Sequence, residues 1–267
     1  LRKQHFPDTR YLDHLAKEAG EIICSLFTLG MKKEWKKDAT PVTAADKAVN
    51  DLVLKSFAND YPHIHVVSEE GNSEGAVTEY RVLCDPIDGT FPFCMGAPIC
   101  AFCITVLKGD NPLSAVIYDP FMNRLWHANA CGGAFLNNEP VRVSERKSVK
   151  GSMTCMVWWG GSGHNLHAVC GKLMNAGGKW MNPASIAYFG GLVASGEMEA
   201  TIFPGPYGWE TAAMSLIVEE AGGRATDLFG NNIRYGSDGK MISRGHVISN
   251  GFVHDELLKL VADAQKV

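Results

Sequence analysis

Basic residues are not in excess in this chain: 25 Lys and Arg stand against 29 Asp and Glu, a formal net charge of −4. A nucleic-acid partner calls for a basic face or stripe, so that class of function is disfavoured. No apolar run approaches the roughly 20 residues of a membrane-spanning helix. The first residues do not read as a secretory leader, and the expectation is a soluble chain without a membrane partner. A disulfide framework is missing too. The eight cysteines are scattered at Cys24, Cys84, Cys94, Cys100, Cys103, Cys131, Cys155 and Cys170, and 267 residues bury a core without cross-links. They are expected as buried thiols in a reducing compartment, the cytosol. Internal repeats and low-complexity tracts are likewise absent.

What is present is alternating helix and strand patterning. Leu12, Leu15, Ala16, Ala19, Ile22, Ile23 and Leu26 recur at helical spacing, with Gly30 as a stop. Thr43 caps a second predicted helix, which has Val49, Leu52, Val53 and Phe57 on one face and ends by Pro62. Short strands follow over Ile64 to Val67 and Arg81 to Cys84, each running into acids. Phe102 to Leu107 and Leu113 to Tyr118 form a predicted hairpin about Gly109-Asp110, and Leu125 to Ala130 and Ala134 to Val143 extend the sheet. Residues 144–150 are polar and basic, and divide an N-terminal half (1–148) from a C-terminal half (149–267). The second half carries predicted strands over Met153 to Trp158 and Thr201 to Phe203. Its predicted helices cover Leu166 to Met174, Ile186 to Ala194, Trp209 to Glu220 and His254 to Ala264. Mixed sheets alternating with helices give a layered α/β sandwich.

The strongest local signal is Asp85-Pro86-Ile87-Asp88-Gly89-Thr90. Two acids three positions apart follow an apolar strand, and Pro92 suits the first turn of a helix. An oxygen-rich strand end suits Mg²⁺, and backbone N–H groups at a helix start suit phosphate oxygens. Asp-Pro and Asp-Gly are also ordinary turn formers. The turn explanation loses here because Glu69-Glu70 ends another apolar strand, and clustered carboxylates repel unless a cation sits among them. A cation also reconciles an acidic chain with an anionic substrate.

Together with Pro41-Val42-Thr43-Ala44-Ala45-Asp46, Trp209-Glu210-Thr211-Ala212-Ala213 and Glu220-Ala221-Gly222-Gly223, these motifs resemble the inositol monophosphatase family, in its order, from about Lys36 to Leu258. The resemblance implies an αβαβα sandwich, a homodimer, and hydrolysis of a small phosphomonoester such as an inositol monophosphate, sugar or polyol phosphate. It also implies two to three Mg²⁺ ions, with Mn²⁺ tolerated, and sensitivity to lithium. By the same resemblance Glu69, Asp85 and the Ile87 carbonyl hold one ion, Asp85, Asp88 and Glu210 a second, and Glu69 a third. A metal-activated water aligned by Thr90, with Asp46 behind it, attacks phosphorus while the N–H groups of Gly89 and Thr90 hold the phosphate. Asp46 is equally spaced for a capping box with Thr43, and one residue can serve both roles. Lys36 and Lys37 are within reach of such a site or are simply solvated. Ser185 is placed to touch substrate or to cap a helix. A histidinol-phosphate phosphatase, a 3'(2'),5'-bisphosphate nucleotidase and a catalytically silent metal-binding homologue remain alternatives.

The chain departs from the family pattern twice. Glu210 stands where the family has Asp, one methylene shorter, which bears on the second metal position. Phe203 aligns with an acid that contacts inositol hydroxyls in some members, and a ring cannot accept those hydrogen bonds. Four other motifs are discounted. Cys100-x-x-Cys103 lies in an apolar strand with no second ligand pair. Gly160-Gly161-Ser162-Gly163-His164 breaks the serine-hydrolase elbow at His164. His164 and His167 lack a zinc-protease Glu, and Trp158-Trp159 is assigned to a core or interface.

Overall fold

The computed structural model describes residues 6–264, apart from 38, 75–77, 160, 161, 163 and 244. Helix α1 (Thr9–Leu26) starts where the Asp8 carboxylate accepts from the Tyr11 N–H. A small hairpin, β1 (Lys33–Trp35) and β2 (Pro41–Thr43), leads into α2 (Ala44–Asp60). The large sheet comprises β3 (His65–Ser68), β4 (Tyr80–Asp88), β5 (Ala101–Lys108), β6 (Asn111–Asp119), β7 (Arg124–Asn129), β8 (Ala134–Leu136) and β9 (Glu139–Pro140), paired in that order. A single turn of helix, α3 (Thr90–Cys94), follows β4. The remainder runs β10 (Met153–Met156), α4 (Leu166–Asn175), β11 (Lys179–Met181), α5 (Ile186–Ala194), β12 (Ala200–Phe203), α6 (Gly208–Glu220), β13 (Arg224–Thr226), β14 (His246–Ser249) and α7 (His254–Ala264). Its five strands pair as β11-β10-β12-β14-β13.

Three cores separate five layers. Leu12, Leu15 and Ile23 of α1 and Val49, Val53 and Phe57 of α2 meet Val82, Ile104 and Val116 on one face of the large sheet. Leu83, Ile117 and Trp126 on its other face meet Ile186 and Phe189 of α5 and Met214 and Ile217 of α6. The small sheet lies across these two helices, and its far face carries Met156, Ile202 and Val247 against Leu166, Val169, Leu257 and Val261 of α4 and α7. Neighbouring residues such as Val82 and Leu83 enter different cores because a strand alternates its faces. The order is α, β, α, β, α, as the resemblance implied. Among the described residues no helix is long and apolar enough to cross a membrane.

Three local readings change. The strand expected to stop at Asp85 continues to Asp88 with a register irregularity between the two acids. Ala134 to Val143 is a hairpin rather than one strand, because Asn137 and Asn138 take left-handed backbone and reverse the chain. Strands β11, β13 and β14 carry no periodic signal of their own in three or four residues. β14 is nonetheless central, buried along its length between β12 and β13.

Candidate active site

The parallel strands β3 and β4 end side by side, with Ser68 paired to Cys84 and the Glu69 N–H donating to the Cys84 carbonyl at 3.1 Å. In a regular strand, residues three apart point to opposite faces. The irregularity at Pro86, which has no N–H for the ladder, re-aims one side chain so that Asp85 and Asp88 come together. Glu210 arrives from the first turn of α6. One carboxylate oxygen from each of Asp85, Asp88 and Glu210 lies within 4.8 Å of the others. All three acids are buried. Glu210 therefore reaches the cluster despite its extra methylene.

Burial first, and then the charges of Glu69, Glu210 and Asp88, push the Asp85 carboxyl well above the usual range. Burial likewise raises Glu210, reinforced by Asp88 and Glu69. Glu210 Oε2 is buried with no hydrogen-bond partner, which ordinarily costs stability. Asp88 is also raised by burial, but four donors oppose the rise. Ser185 Oγ donates to it at 2.6 Å, and the backbone N–H groups of Ile186, Ala187 and Tyr188 at 3.1, 2.7 and 3.4 Å. Asp88 thus sits on the N-terminus of α5, where the helix dipole favours negative charge.

A hard divalent cation fits this donor set: clustered carboxylate oxygens, one without a partner, all held in an environment that penalises their bare charges. Glu69 is not part of that trio. It lines the same cavity, but its carboxylate pairs at 2.8 Å with Lys36, which the β1–β2 connection delivers and which also bonds Glu70. Burial works to lower the Lys36 ammonium, but Glu69 and Glu70 outweigh it and raise it. Lys37 is exposed.

Asp46 bonds both Thr43 and Thr90. Its Oδ2 accepts from the Thr43 N–H at 2.8 Å and its Oδ1 from the Thr90 hydroxyl at 3.1 Å. The Thr90 hydroxyl also lies 2.9 Å from the Ile87 carbonyl, and the Ile87 N–H donates to Asp85 at 2.9 Å. Gly89 is required where it stands. Its φ is +94°, and a Cβ there would come within 2.7 Å of Ser185 Cβ and 2.8 Å of the Ile99 carbonyl.

Of the residues assigned to substrate, Asp88, Gly89, Thr90 and Phe203 line a cavity of about 400 Å³ with the acids. Ser185 does not. It is fully buried and its hydroxyl is spent on Asp88, so it positions an acid instead of touching substrate. A larger cavity of about 660 Å³ lies against α2 and β3, lined by residues such as Leu54, Phe57 and Pro62, and holds none of these acids. Cys100 and Cys103 are buried, and burial pushes both thiols up, away from reactive thiolate. His167 accepts from the Trp158 ring N–H at 3.3 Å. In the run Gly160 to His164, the three glycines lie outside the described residues.

The sequence profile of the inositol monophosphatase family matches residues 8–266. The chain belongs to the inositol monophosphatase family. This family member is 30% identical over 257 residues to a histidinol-phosphatase of Mycobacterium tuberculosis, covering 91% of this chain and 94% of that one. It is 31% identical over 229 residues to an inositol-1-monophosphatase of Mesorhizobium japonicum, with 82% of each covered. Its fold matches that of an IMPase from Thermotoga maritima with a TM-score of 0.85 at 23% identity, over 97% and 98% of the two chains. Membership places it among the phosphoric monoester hydrolases of a metal-dependent family.

Sequence reasoning missed several lining residues of this family member. Trp159, assigned to a core or interface, is on the cavity, as are Tyr207 and Lys240. The available signal was the density of rings at Phe203, Tyr207 and Trp209 just ahead of Glu210.

Proposed function

We propose that this protein hydrolyses a small phosphomonoester with Mg²⁺ held by its acid cluster. The observation that carries the reading is the buried trio of Asp85, Asp88 and Glu210, with one oxygen lacking any partner. Asp85, Asp88 and Glu210 would hold one ion, and Glu69, Asp85 and the Ile87 carbonyl another, once Glu69 is released from Lys36. A third ion would lean on Glu69, and Mn²⁺ suits the same oxygens. Bound there, divalent cations neutralise phosphate charge and make a water acidic enough to serve as nucleophile near neutral pH. The chain supplies the rest. With its proton directed to Asp46 Oδ1, the Thr90 hydroxyl turns a lone pair toward a water in the cavity, and Asp46 receives the proton relayed through Thr90. The Gly89-Thr90 backbone at the start of α3 holds the phosphate.

In this reading residues 1–148 supply Glu69, Asp85 and Asp88, while 149–267 supply Glu210 and the wall facing the leaving group. Inositol monophosphate and sugar or polyol phosphates are within the class. Histidinol phosphate is favoured as a second reading by the M. tuberculosis relative, and a 3'(2'),5'-bisphosphate nucleotide is a third. Eight free cysteines, six of them buried, support a cytosolic location. A homodimer and lithium inhibition are proposed on family membership alone. Phosphate release from inositol 1-phosphate, histidinol phosphate, fructose 1,6-bisphosphate and adenosine 3',5'-bisphosphate, each with Mg²⁺, tests the class. Turnover of at least one is expected, and turnover of none of these or of any simple alkyl phosphate would overturn it.

A further inference from the structure

Beside the acids, the second half walls the cavity with rings. Trp159 and Tyr207 stack with centroids 6.1 Å apart and planes 18° from parallel, and Tyr207 and Trp209 do so at 5.0 Å and 23°. All three line the cavity, and the last immediately precedes Glu210. Phe203, the ring expected to face substrate, is 2% exposed and backs the stack at 5.8 Å from Trp159. The open face belongs to Trp159, which is 41% exposed.

Trp159 has a built seat. A Cβ on Gly205 would come within 2.9 Å of Trp159 Cη2 and 2.4 Å of Phe203 Cζ, so the bare glycine is what lets both rings lie down there. An indole left open to water forgoes burial that a large ring normally gains. The wall also offers a polyol no spare carboxylate. Each carboxylate among the described lining residues is one of Asp85, Asp88, Glu210 and the Lys36-paired Glu69. None remains to accept from vicinal hydroxyls once these acids hold cations.

We propose that the Trp159–Tyr207 face selects phosphomonoesters whose alcohol carries a flat aromatic or heteroaromatic ring. The ring lies on the open indole face while the phosphate reaches the acids. The inference rests on the phosphatase reading and narrows its substrate class. Offset stacking on an aromatic side chain is worth up to about 1.4 kcal/mol beyond area burial, which corresponds to roughly tenfold in kcat/KM.

The test compares 2-phenylethyl phosphate with glycerol 1-phosphate on the Mg²⁺-loaded enzyme. Both are primary alkyl esters, so the leaving oxygen is chemically alike and the ring is the variable. The wild type is expected to favour the phenylethyl ester by about tenfold in kcat/KM. In Trp159→Ala that ratio should fall to near one, chiefly through KM, and Trp159→Phe should restore most of it. Equal loss on both esters, or a wild-type preference for glycerol 1-phosphate, would overturn ring selection while leaving the phosphatase reading intact. Hydrolysis of neither ester by a wild type that turns over inositol 1-phosphate would overturn ring selection alone, and hydrolysis of none of the three would overturn both.

Discussion

Replacing Glu210 by Gln separates the two things its carboxylate does. In the metal-free protein, Glu210 adds negative charge within 4.8 Å of Asp85 and Asp88. Two unit charges at that distance, with an effective dielectric of about 20, repel by about 3 kcal/mol. Protonation relieves part of this, so Gln is expected to stabilise the metal-free fold by about 1–2 kcal/mol, a rise of several degrees in Tm. With Mg²⁺ the sign reverses. A cation at 1,000 times its dissociation constant stabilises by about 4 kcal/mol, and a 100-fold weaker site at the same concentration retains about 1.4 kcal/mol. Thermal unfolding of both proteins in chelator and in Mg²⁺ should therefore cross: the variant melts above wild type without metal and below it with metal. Phosphate release should fall by about 100-fold or more, since an electrostatic clamp on the transition state is typically worth that much. An equal Mg²⁺-induced shift in the two proteins would remove Glu210 from the metal site. A variant less stable than wild type in chelator would refute the repulsion argument.

Asp88→Asn should behave oppositely in chelator, because four donors at the start of α5 converge on Asp88 and an amide turns an N–H₂ toward some of them. A loss of about 1–2 kcal/mol is expected from calorimetry, alongside lost turnover, and a metal-free midpoint at or above wild type would contradict the anchoring role. Acid sensitivity should trace to two buried histidines. Burial holds His246 down to about 3, and burial followed by Arg224 holds His254 down to about 4, against 6.5 for both when exposed. The unfolded chain binds more protons in that window, so their contribution is complete above about pH 6.5 and is lost as pH falls toward 4. Urea unfolding between pH 7 and 4 should steepen accordingly, and His254→Gln should flatten the profile by up to about 1.4 kcal/mol per pH unit. An unchanged slope would contradict the assignment.

Glu69 and the Asp85–Asp88 pair were legible because each ends an apolar strand, where a run of carboxylates has no structural purpose of its own, whereas Glu210 was read only from the family resemblance. Their convergence was not, since it depends on a strand irregularity at Pro86 and on α6 arriving from more than a hundred residues away. Asp46 illustrates the limit in another way. Spacing offered a cap and the resemblance a partner for Thr90, and the two oxygens of one carboxylate bond Thr43 and Thr90 respectively. Ser185 looked like a substrate contact because its partner, Asp88, is distant in sequence. The helices were read closely, α5 and α7 at their observed limits, because apolar periodicity is local information. Strand β14 was invisible for the converse reason: four residues make a strand only through neighbours supplied by β12 and β13.

The most direct test of the account is the rate of phosphate release from a small alkyl phosphate by metal-stripped protein as Mg²⁺ is titrated in. No turnover is expected in excess chelator, with a saturable return of activity as Mg²⁺ is added, lost in Glu210→Gln over the same range. Full turnover by the stripped wild-type protein in chelator would contradict the account.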